Sequence, residues 1–204
     1  MKKLNVNKND DFLSKEWIIS NLKTIFFAIL IALFIRTFFF QPFFIPSSSM
    51  EPTLLVGDRL FVTKYSYGYS RHSFPFSIHL FKERIIFNQP KRGDVVVFKV
   101  PININSNTKT FGVDYIKRIV GLPGDMIEMK KGKLMINDNE VTRKKIRTDQ
   151  KFLPNGKIID MEVYLETIKD GRSYETYNIR DDGPADNFNT ITVPKNSYFV
   201  LGDN

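Results

Sequence analysis

A run of three hydroxyl side chains is the first feature of the sequence with catalytic potential. Ser47, Ser48 and Ser49 lie between Pro46 and Pro52, and each proline fixes its own φ and biases the preceding residue to extended geometry. A loop restricted in this way can present a hydroxyl together with neighbouring backbone amides, as acyl transfer requires. Serine-rich segments between structured elements are more commonly ordinary loops, so the run by itself indicates only a candidate nucleophile.

A serine nucleophile needs a base, and the sequence offers two kinds. His72 and His79 lie in a Tyr-, Ser- and Phe-rich segment that predicts an exposed surface loop. Lys117 differs, because period-2 alternation places it between Tyr115 and Ile119 on one face of a predicted strand. Burial would lower the pKa of such a lysine and leave a neutral amine able to accept a serine proton. Snorkelling to water from an edge strand is the alternative, and spacing alone leaves both open.

The composition excludes several other chemistries. The chain has 204 residues, no cysteine and two histidines, with 30 Lys+Arg against 22 Asp+Glu. Disulfides, thiolate nucleophiles and cysteine-based zinc sites are therefore excluded, and we predict neither a metal site nor a cofactor. The length predicts roughly one domain, either without or with a large insertion.

A long apolar segment near the N-terminus predicts a transmembrane helix. The 19 residues from Trp17 to Ile35 approach the roughly 20 residues that cross about 30 Å of hydrocarbon. Lys23 and Arg36 can snorkel toward the headgroups. A cleavable signal peptide is the alternative, but no small-x-small site follows, so we predict an uncleaved anchor. A buried amphipathic core helix is disfavoured because the segment is apolar all round.

The residues on either side of this segment indicate its orientation. A modest positive bias before it predicts a cytoplasmic tail at 1–16 and an anchor at 17–36, with the remainder outside the cytoplasm. The excess of Lys and Arg in the part outside the cytoplasm would have no nucleic acid to bind. It either favours binding to anionic lipid headgroups or belongs to an ordinary solvated surface. The Phe-rich residues Phe38–Phe44, interrupted by Pro42, predict an extended apolar strip at the membrane face, or a buried strand, or both.

The remaining sequence predicts mainly β structure. Short alternating or β-branched runs are separated by Gly, Pro and Asp turn signals. The predicted strands are Arg59–Lys64, Asp94–Val100, Asp114–Val120, Met126–Met129, Lys133–Ile136, Met161–Ile168, Tyr174–Ile179 and Tyr198–Leu201. The hairpin-rich segment 125–195 predicts a second β domain inserted into a β domain formed by 37–124 and 196–204.

Four motifs follow the anchor in a fixed order and carry a family resemblance. They are IPSSSMEPTLLVGD (45–58), KRGDVVVF (91–98), DYIKRIVGLPGD (114–125) and YFVLGDN (198–204). In this order they resemble the type I signal peptidases, the membrane-anchored Ser/Lys endopeptidases that remove signal peptides from exported proteins.

The resemblance implies a function, a location and partners. It implies an antiparallel β catalytic domain with an inserted β domain, which cleaves N-terminal signal peptides after a small-x-small motif. The expected location is the bacterial inner membrane, with a single membrane pass and the catalytic domain on the extracytoplasmic side. The expected partners are signal-peptide-bearing preproteins and the lipid bilayer, with no nucleic acid.

The resemblance also assigns roles to individual residues. It implies that Ser49 is the nucleophile, Lys117 the general base and Ser47 a side-chain oxyanion donor, with Arg118 and Asp203 as structural support. The positions that match the substrate pockets for small residues are Phe43, Ile45, Met50, Leu54, Tyr115 and Ile116.

The sequence departs from the family pattern at two places. Ser48 stands where the family often has glycine. The family's last motif continues beyond the positions of Gly202, Asp203 and Asn204 to a serine that hydrogen-bonds the catalytic lysine and to an Asp and an Arg that support the site. We therefore expect a C-terminally incomplete catalytic domain, in which Lys117 is more hydrated and its pKa less depressed.

Three other functions share parts of this pattern. A self-cleaving repressor has the same catalytic fold, but it should carry a DNA-binding N-terminus in place of the apolar anchor. A related Ser/Lys peptidase that matures conjugation pilins stays open. From a different class, a non-catalytic, membrane-tethered β module that binds extended peptides also stays open.

Overall fold

The computed structural model describes most of the chain and divides it into two compact units. The residues it describes are 14–70, 73–74, 84–100, 113–152, 156–169, 172–178, 183 and 186–204. One unit comprises Met1–Pro42 and Phe61–Asn88, and the other Phe43–Leu60 and Gln89–Asn204. His72 and His79 lie outside the described residues, so the prediction of a surface loop there stays a prediction.

The N-terminal apolar segment forms a single helix, α1, over Lys15–Phe38. The Ser14 side chain caps it by accepting a hydrogen bond from Trp17 N at 3.2 Å, which satisfies one of the free N–H groups of the first turn. Glu16 in the first turn and Arg36 in the last complement the helix dipole. The helix is long and apolar enough to cross a membrane, a test that a signal sequence would also pass.

The Phe-rich segment after the helix is a strand. It forms β1 over Phe40–Phe44, which pairs with β2 over Arg59–Thr63 in a two-stranded sheet. Side chains along β1 alternate between exposed and half-buried. Tyr69 Oη donates to Phe38 O at 2.8 Å and so satisfies a carbonyl at the C-terminal end of α1.

The other strands form three antiparallel sheets. The first has the order β12-β4-β3, the second β11-β5-β6-β7 and the third β10-β9-β8. The bounds are β3 Val95–Lys99, β4 Asp114–Gly121, β5 Met126–Lys130, β6 Lys133–Ile136, β7 Asn139–Glu140, β8 Thr142–Phe152, β9 Ile158–Thr167, β10 Ser173–Asn178, β11 Phe188–Thr192 and β12 Phe199–Leu201.

One hydrophobic core joins these sheets within the second unit. Its buried members are Val120, Ile127, Leu134, Ile136, Val141, Ile168, Tyr174 and Val193. They come from strands of all three sheets and from the segments next to them, so the core holds β4, the strand of Lys117, in place.

The predicted fold class is confirmed: the chain is mainly β, with antiparallel sheets and one N-terminal apolar helix. The predicted boundary between a catalytic and an inserted domain stays a prediction. Strands β7, β8 and β11 were not among the predicted ones. β8 reads TRKKIRTDQKF and is almost entirely polar, so neither face shows the apolar alternation by which strands are recognised.

Candidate active site

Strand β4 positions Lys117 near the middle of a three-stranded sheet. Val96 of β3 is the cross-strand partner of Lys117, and β12 pairs with the other edge of β4. The next residues along β4, Ile119 and Val120, are 2% and 1% exposed, so they fix the strand in the core. Lys117 itself is half-buried. The sequence alternative of an edge-strand lysine is therefore wrong, because β4 has a neighbour on both sides.

A β-turn positions Ser49. Glu51 N donates to Ser48 O at 2.9 Å, which closes a four-residue turn with Ser49 in its second position. The third residue, Met50, is completely buried and its carbonyl accepts from Leu54 N at 2.8 Å. The turn is thus anchored by a core side chain and leaves Ser49 half-buried.

The residues after β12 bring the turn and β4 together. Asp203 N donates to Ser49 O at 3.1 Å. A Cβ added to Gly202 would overlap Ser49 O and would lie 3.2 Å from Lys117 Nζ. This close approach of two backbones is possible because glycine has no side chain.

The Ser49 and Lys117 side chains are in direct contact. Lys117 Nζ donates to Ser49 Oγ at 2.5 Å, and Ser47 Oγ lies 3.4 Å from Ser49 Oγ. Burial lowers the pKa of Lys117 below its ordinary value, and the nearby Asp203 carboxylate opposes this shift. The net shift makes the Lys117 amine easier to deprotonate than that of an ordinary lysine, and the neutral amine is the form that can accept a proton from a hydroxyl.

A buried ion pair lies beside this contact. Arg118 Nε and Nη2 donate to the two carboxylate oxygens of Asp203 at 2.9 and 2.7 Å, and Arg118 Nη1 donates to Gly93 O at 2.9 Å. Thr53 Oγ1 donates to Asp203 at 2.5 Å, and the guanidinium carbon lies 4.2 Å from the centre of the Tyr174 ring. The bidentate geometry and these added partners compensate the cost of burying two charges.

This arrangement is suited to covalent catalysis by a serine. A hydroxyl lies against an amine whose pKa is lowered, and backbone and side-chain donors are close by. In the part of the chain that the structure describes, no group of three or more His, Cys, Asp or Glu side chains could hold a metal ion.

Comparison with known proteins identifies the family. The family model described as "Signal peptidase, peptidase S26" matches residues 17–204. The chain belongs to the peptidase S26 family of signal peptidases.

The similar proteins include those of three Rickettsia species, each named Signal peptidase I. The chain is 40% identical to the protein of Rickettsia prowazekii over 186 residues, which cover 87% of this chain and 66% of the relative. It is 37% identical to that of Rickettsia canadensis over 215 residues, covering 99% and 72%, and 39% identical to that of Rickettsia felis over 186 residues, covering 87% and 66%. The matches thus span about two thirds of the length of these relatives.

The structure brings together the residues that the sequence analysis assigned to catalysis. Ser47, Ser49 and Lys117 lie within one cluster, and Arg118 pairs with Asp203 beside it. Their roles in a peptidase S26 reaction stay predictions, as does the expectation that the pKa of Lys117 is less depressed than in its relatives.

The six residues predicted to contact substrate differ in exposure. Tyr115, on the same face of β4 as Lys117, is 42% exposed and contacts the Phe98 ring of β3. Ile45 and Met50, the latter within the serine turn, are buried, at 2% and 0% exposure. The other three, which are half-buried, are Phe43, Leu54 and Ile116.

Four residues of the site were not singled out in the sequence. Thr53, Gly93 and Gly202 lie inside the quoted motifs, so their presence in those motifs is the signal that could have found them. Tyr174 lies outside every motif, and its contact with Arg118 depends on how β10 packs, which no local pattern indicates.

Proposed function

We propose that the protein is a membrane-anchored serine endopeptidase that cleaves N-terminal signal peptides from exported preproteins after a small-x-small motif. The observation that carries the proposal is the 2.5 Å contact between Lys117 Nζ and Ser49 Oγ, with the amine's pKa lowered by burial. Membership of the signal peptidase family supports the choice of substrate.

The proposed reaction uses Ser49 as nucleophile and Lys117 as general base. The neutral amine accepts the hydroxyl proton as Ser49 Oγ bonds to the scissile carbonyl carbon. The resulting ammonium gives this proton to the leaving amine as the C–N bond breaks, which leaves an acyl-enzyme. The Lys117 amine, neutral again, then takes a proton from a water molecule as the water oxygen attacks the carbonyl carbon of the ester. The Lys117 ammonium returns this proton to Ser49 Oγ as the bond between Ser49 Oγ and the carbonyl carbon breaks.

Stabilisation of the oxyanion is assigned to Ser47 and to the backbone N–H of Ser49. Ser47 Oγ lies 3.4 Å from Ser49 Oγ, so its hydroxyl is close to any carbonyl that Ser49 attacks. A fixed donor at this position is favoured because it needs no reorganisation as charge develops, and loss of one such donor costs about a hundredfold in kcat.

Substrate recognition is proposed to use the residues around the turn. An extended signal peptide would bind as an added strand through backbone hydrogen bonds. Its small residues would contact the apolar side chains of Phe43, Ile45, Met50, Leu54, Tyr115 and Ile116. The two that are fully buried, Ile45 and Met50, would act as the floor of the pockets.

Helix α1 is proposed to anchor the protein by a single pass in the bacterial inner membrane, with the catalytic domain on the extracytoplasmic side. The large side chains around the helix are apolar and exposed, as a lipid-facing helix requires. The Phe38–Phe44 strip would then lie at the membrane face, close to where the apolar part of a signal peptide ends.

The test is cleavage of a preprotein by the full chain reconstituted in liposomes. Ser49→Ala and Lys117→Ala should each abolish cleavage without loss of folding, while Ser48→Ala, a serine in the same turn, serves as the matched control and should retain it. Cleavage retained in either dyad variant would refute the assignment. Binding of an extended peptide without cleavage by the wild type would favour a non-catalytic module, and cleavage of a pilin precursor alone would favour the pilin-maturing relatives.

A further inference from the structure

An ion pair connects the serine turn to a distant strand of the same unit. Lys151 Nζ of β8 donates to Glu51 Oε2 at 2.5 Å, across 100 positions of sequence. The Glu51 side chain is 11% exposed and that of Lys151 is 30% exposed. The pair is therefore more shielded from water than a typical surface ion pair, and its carboxylate is the less hydrated member.

Glu51 is the residue that closes the turn of Ser49. Its backbone N–H donates to Ser48 O, so the place of Glu51 determines the curvature of the chain at Ser49. The opposite end of the turn is held separately, because Asn204 Nδ2 donates to Ser48 O at 3.1 Å and Asp203 N donates to Ser49 O at 3.1 Å. The closing end of the turn is Glu51, and Lys151 binds the side-chain carboxylate of this residue.

Strand β8 is itself fixed beside the site. Tyr177 of β10 donates from its hydroxyl to Asp149 Oδ2 at 3.1 Å, and its backbone N–H donates to Asp203 O at 2.8 Å. Lys151 lies two residues beyond Asp149, on the same face of β8 by strand alternation. The lysine thus extends from a strand whose position is tied to Asp203.

We propose that Lys151 is a positioning residue for Ser49. By neutralising the Glu51 carboxylate in its poorly hydrated place, it allows the closing end of the serine turn to stay where it is and so keeps Ser49 Oγ within reach of the Lys117 amine. The inference rests on the proposed function and adds to it a contribution from the segment predicted as an inserted domain, beyond the four motifs.

The two partners differ in what their removal leaves behind. Without Lys151, the Glu51 carboxylate stays in a poorly hydrated place and loses the cation that pairs with it in the described part of the chain, so the turn must move to expose it. Without the Glu51 charge, the more exposed Lys151 ammonium can turn to water. Loss of the lysine is therefore expected to harm catalysis more than loss of the carboxylate charge, and removing both charges should restore much of the activity.

The experiment compares Lys151→Met, Glu51→Gln, the double variant and the control Lys144→Met in the full chain in detergent micelles. Lys144 is an exposed lysine on the same strand. Lys151→Met should lower kcat by about tenfold or more, since a displacement of about 1 Å costs about a hundredfold. The fall should be larger in kcat than in KM, because Lys151 and Glu51 are not among the residues proposed to contact substrate, whereas the distance from Ser49 Oγ to the Lys117 amine acts on the chemical step. The double variant should recover most of the loss, and Lys144→Met should match the wild type.

An equal kcat for Lys151→Met and the wild type would overturn the proposal, as would a double variant no better than Lys151→Met. A parallel fall in thermal stability and kcat that the double variant does not reverse would show a merely structural role and would also overturn it. If Lys151→Met does not fold, Lys151→Gln, which removes the charge but keeps a neutral donor for Glu51, is measured in its place; its kcat should be lower than that of the wild type by a smaller factor and should be restored by adding Glu51→Gln, and a kcat equal to the wild type would overturn the proposal.

A second measurement separates this inference from the proposed function. The titration of Lys117 is followed by NMR with 13Cε-labelled lysine, assigned with Lys117→Ala. A displaced turn exposes the amine, so Lys151→Met should move the Lys117 titration upward, and Lys144→Met should not. If the wild type cleaves no preprotein, the proposed function fails, but a shifted Lys117 titration in Lys151→Met still supports positioning, and an unshifted one overturns it.

Discussion

The substitution Gly202→Ala tests whether the Ser49 and Lys117 segments meet as closely as the structure has them. The backbone φ of Gly202 lies outside the left-handed region, so alanine is compatible with the local conformation. Alanine also reduces the conformational entropy of the unfolded chain, which favours folding by about 0.4–1 kcal/mol. Any loss of activity must therefore come from the added methyl group.

The geometry determines the size of the expected effect. The new Cβ would overlap Ser49 O, a backbone atom that cannot rotate away, and would approach Lys117 Nζ to 3.2 Å. Relief of the overlap requires the turn and β12 to separate by an amount on the order of 1 Å, which costs about a hundredfold in rate, or about 2.7 kcal/mol of activation free energy. Overpacking also lowers the free energy of unfolding, by about 1–3 kcal/mol.

The assay is steady-state cleavage of a preprotein, with thermal unfolding measured on the same samples. Gly124→Ala is the matched control, because Gly124 has a φ of +90° and nothing within 4 Å of an added Cβ. It should lose stability through backbone strain, by about 1–2 kcal/mol, and retain kcat. A Gly202→Ala variant with the kcat of the wild type would refute the close approach and, with it, the account of how the dyad is assembled.

Two further predictions concern charge, and a third concerns metal binding. The kcat should rise with pH as Lys117 loses its proton, through a midpoint below that of a free lysine because burial lowers its pKa; a midpoint near 10.4, the value of an unperturbed lysine, would contradict this. Asp203→Asn should shift that midpoint further down, since Asp203 raises the pKa of Lys117. Denaturant titration of this variant should show a loss of about 3–5 kcal/mol in the free energy of unfolding, because Arg118 is left buried without its partner. An unmoved pH profile would refute the electrostatic argument. A chelator such as EDTA should leave kcat unchanged, and an inhibition reversed by adding a divalent metal would show that a metal site exists.

Lys117 shows which features of a candidate catalytic residue can be predicted from the sequence and which cannot. The period-2 alternation of apolar residues correctly predicted that Lys117 lies on a β-strand, with Tyr115 and Ile119 beside it on one face. It left open whether the Lys117 amine is buried or reaches water. The choice depends on β12, which covers the edge of β4 opposite β3 and brings Gly202 against Lys117. Because this contact joins segments more than 80 positions apart, it depends on the assembled sheet, which local alternation does not specify.

Strand β8 shows why another part of the fold could not be predicted. Its stability comes from partners on other strands: Arg147 makes a bidentate ion pair with Glu175 of β10, and Lys145 pairs with Glu162 of β9. Cross-strand pairs of opposite charge stabilise a sheet without any apolar alternation within one strand. A charged segment of this kind resembles a solvated loop until its neighbours are known.

The residues that follow β12 decide whether the serine and the lysine form one site. Asp203 holds the serine turn through its backbone N–H and holds β4 through its carboxylate bond to Arg118, while Gly202 allows the two to touch. This segment therefore sets the distance between the two groups and, through Asp203, opposes the lowered pKa of Lys117. Gly202→Ala should act mainly on distance and lower kcat across the whole pH range, whereas Asp203→Asn should also move the midpoint. Distance and proton affinity at the dyad can thus be changed at two adjacent positions, neither of which takes part in the bond-breaking step.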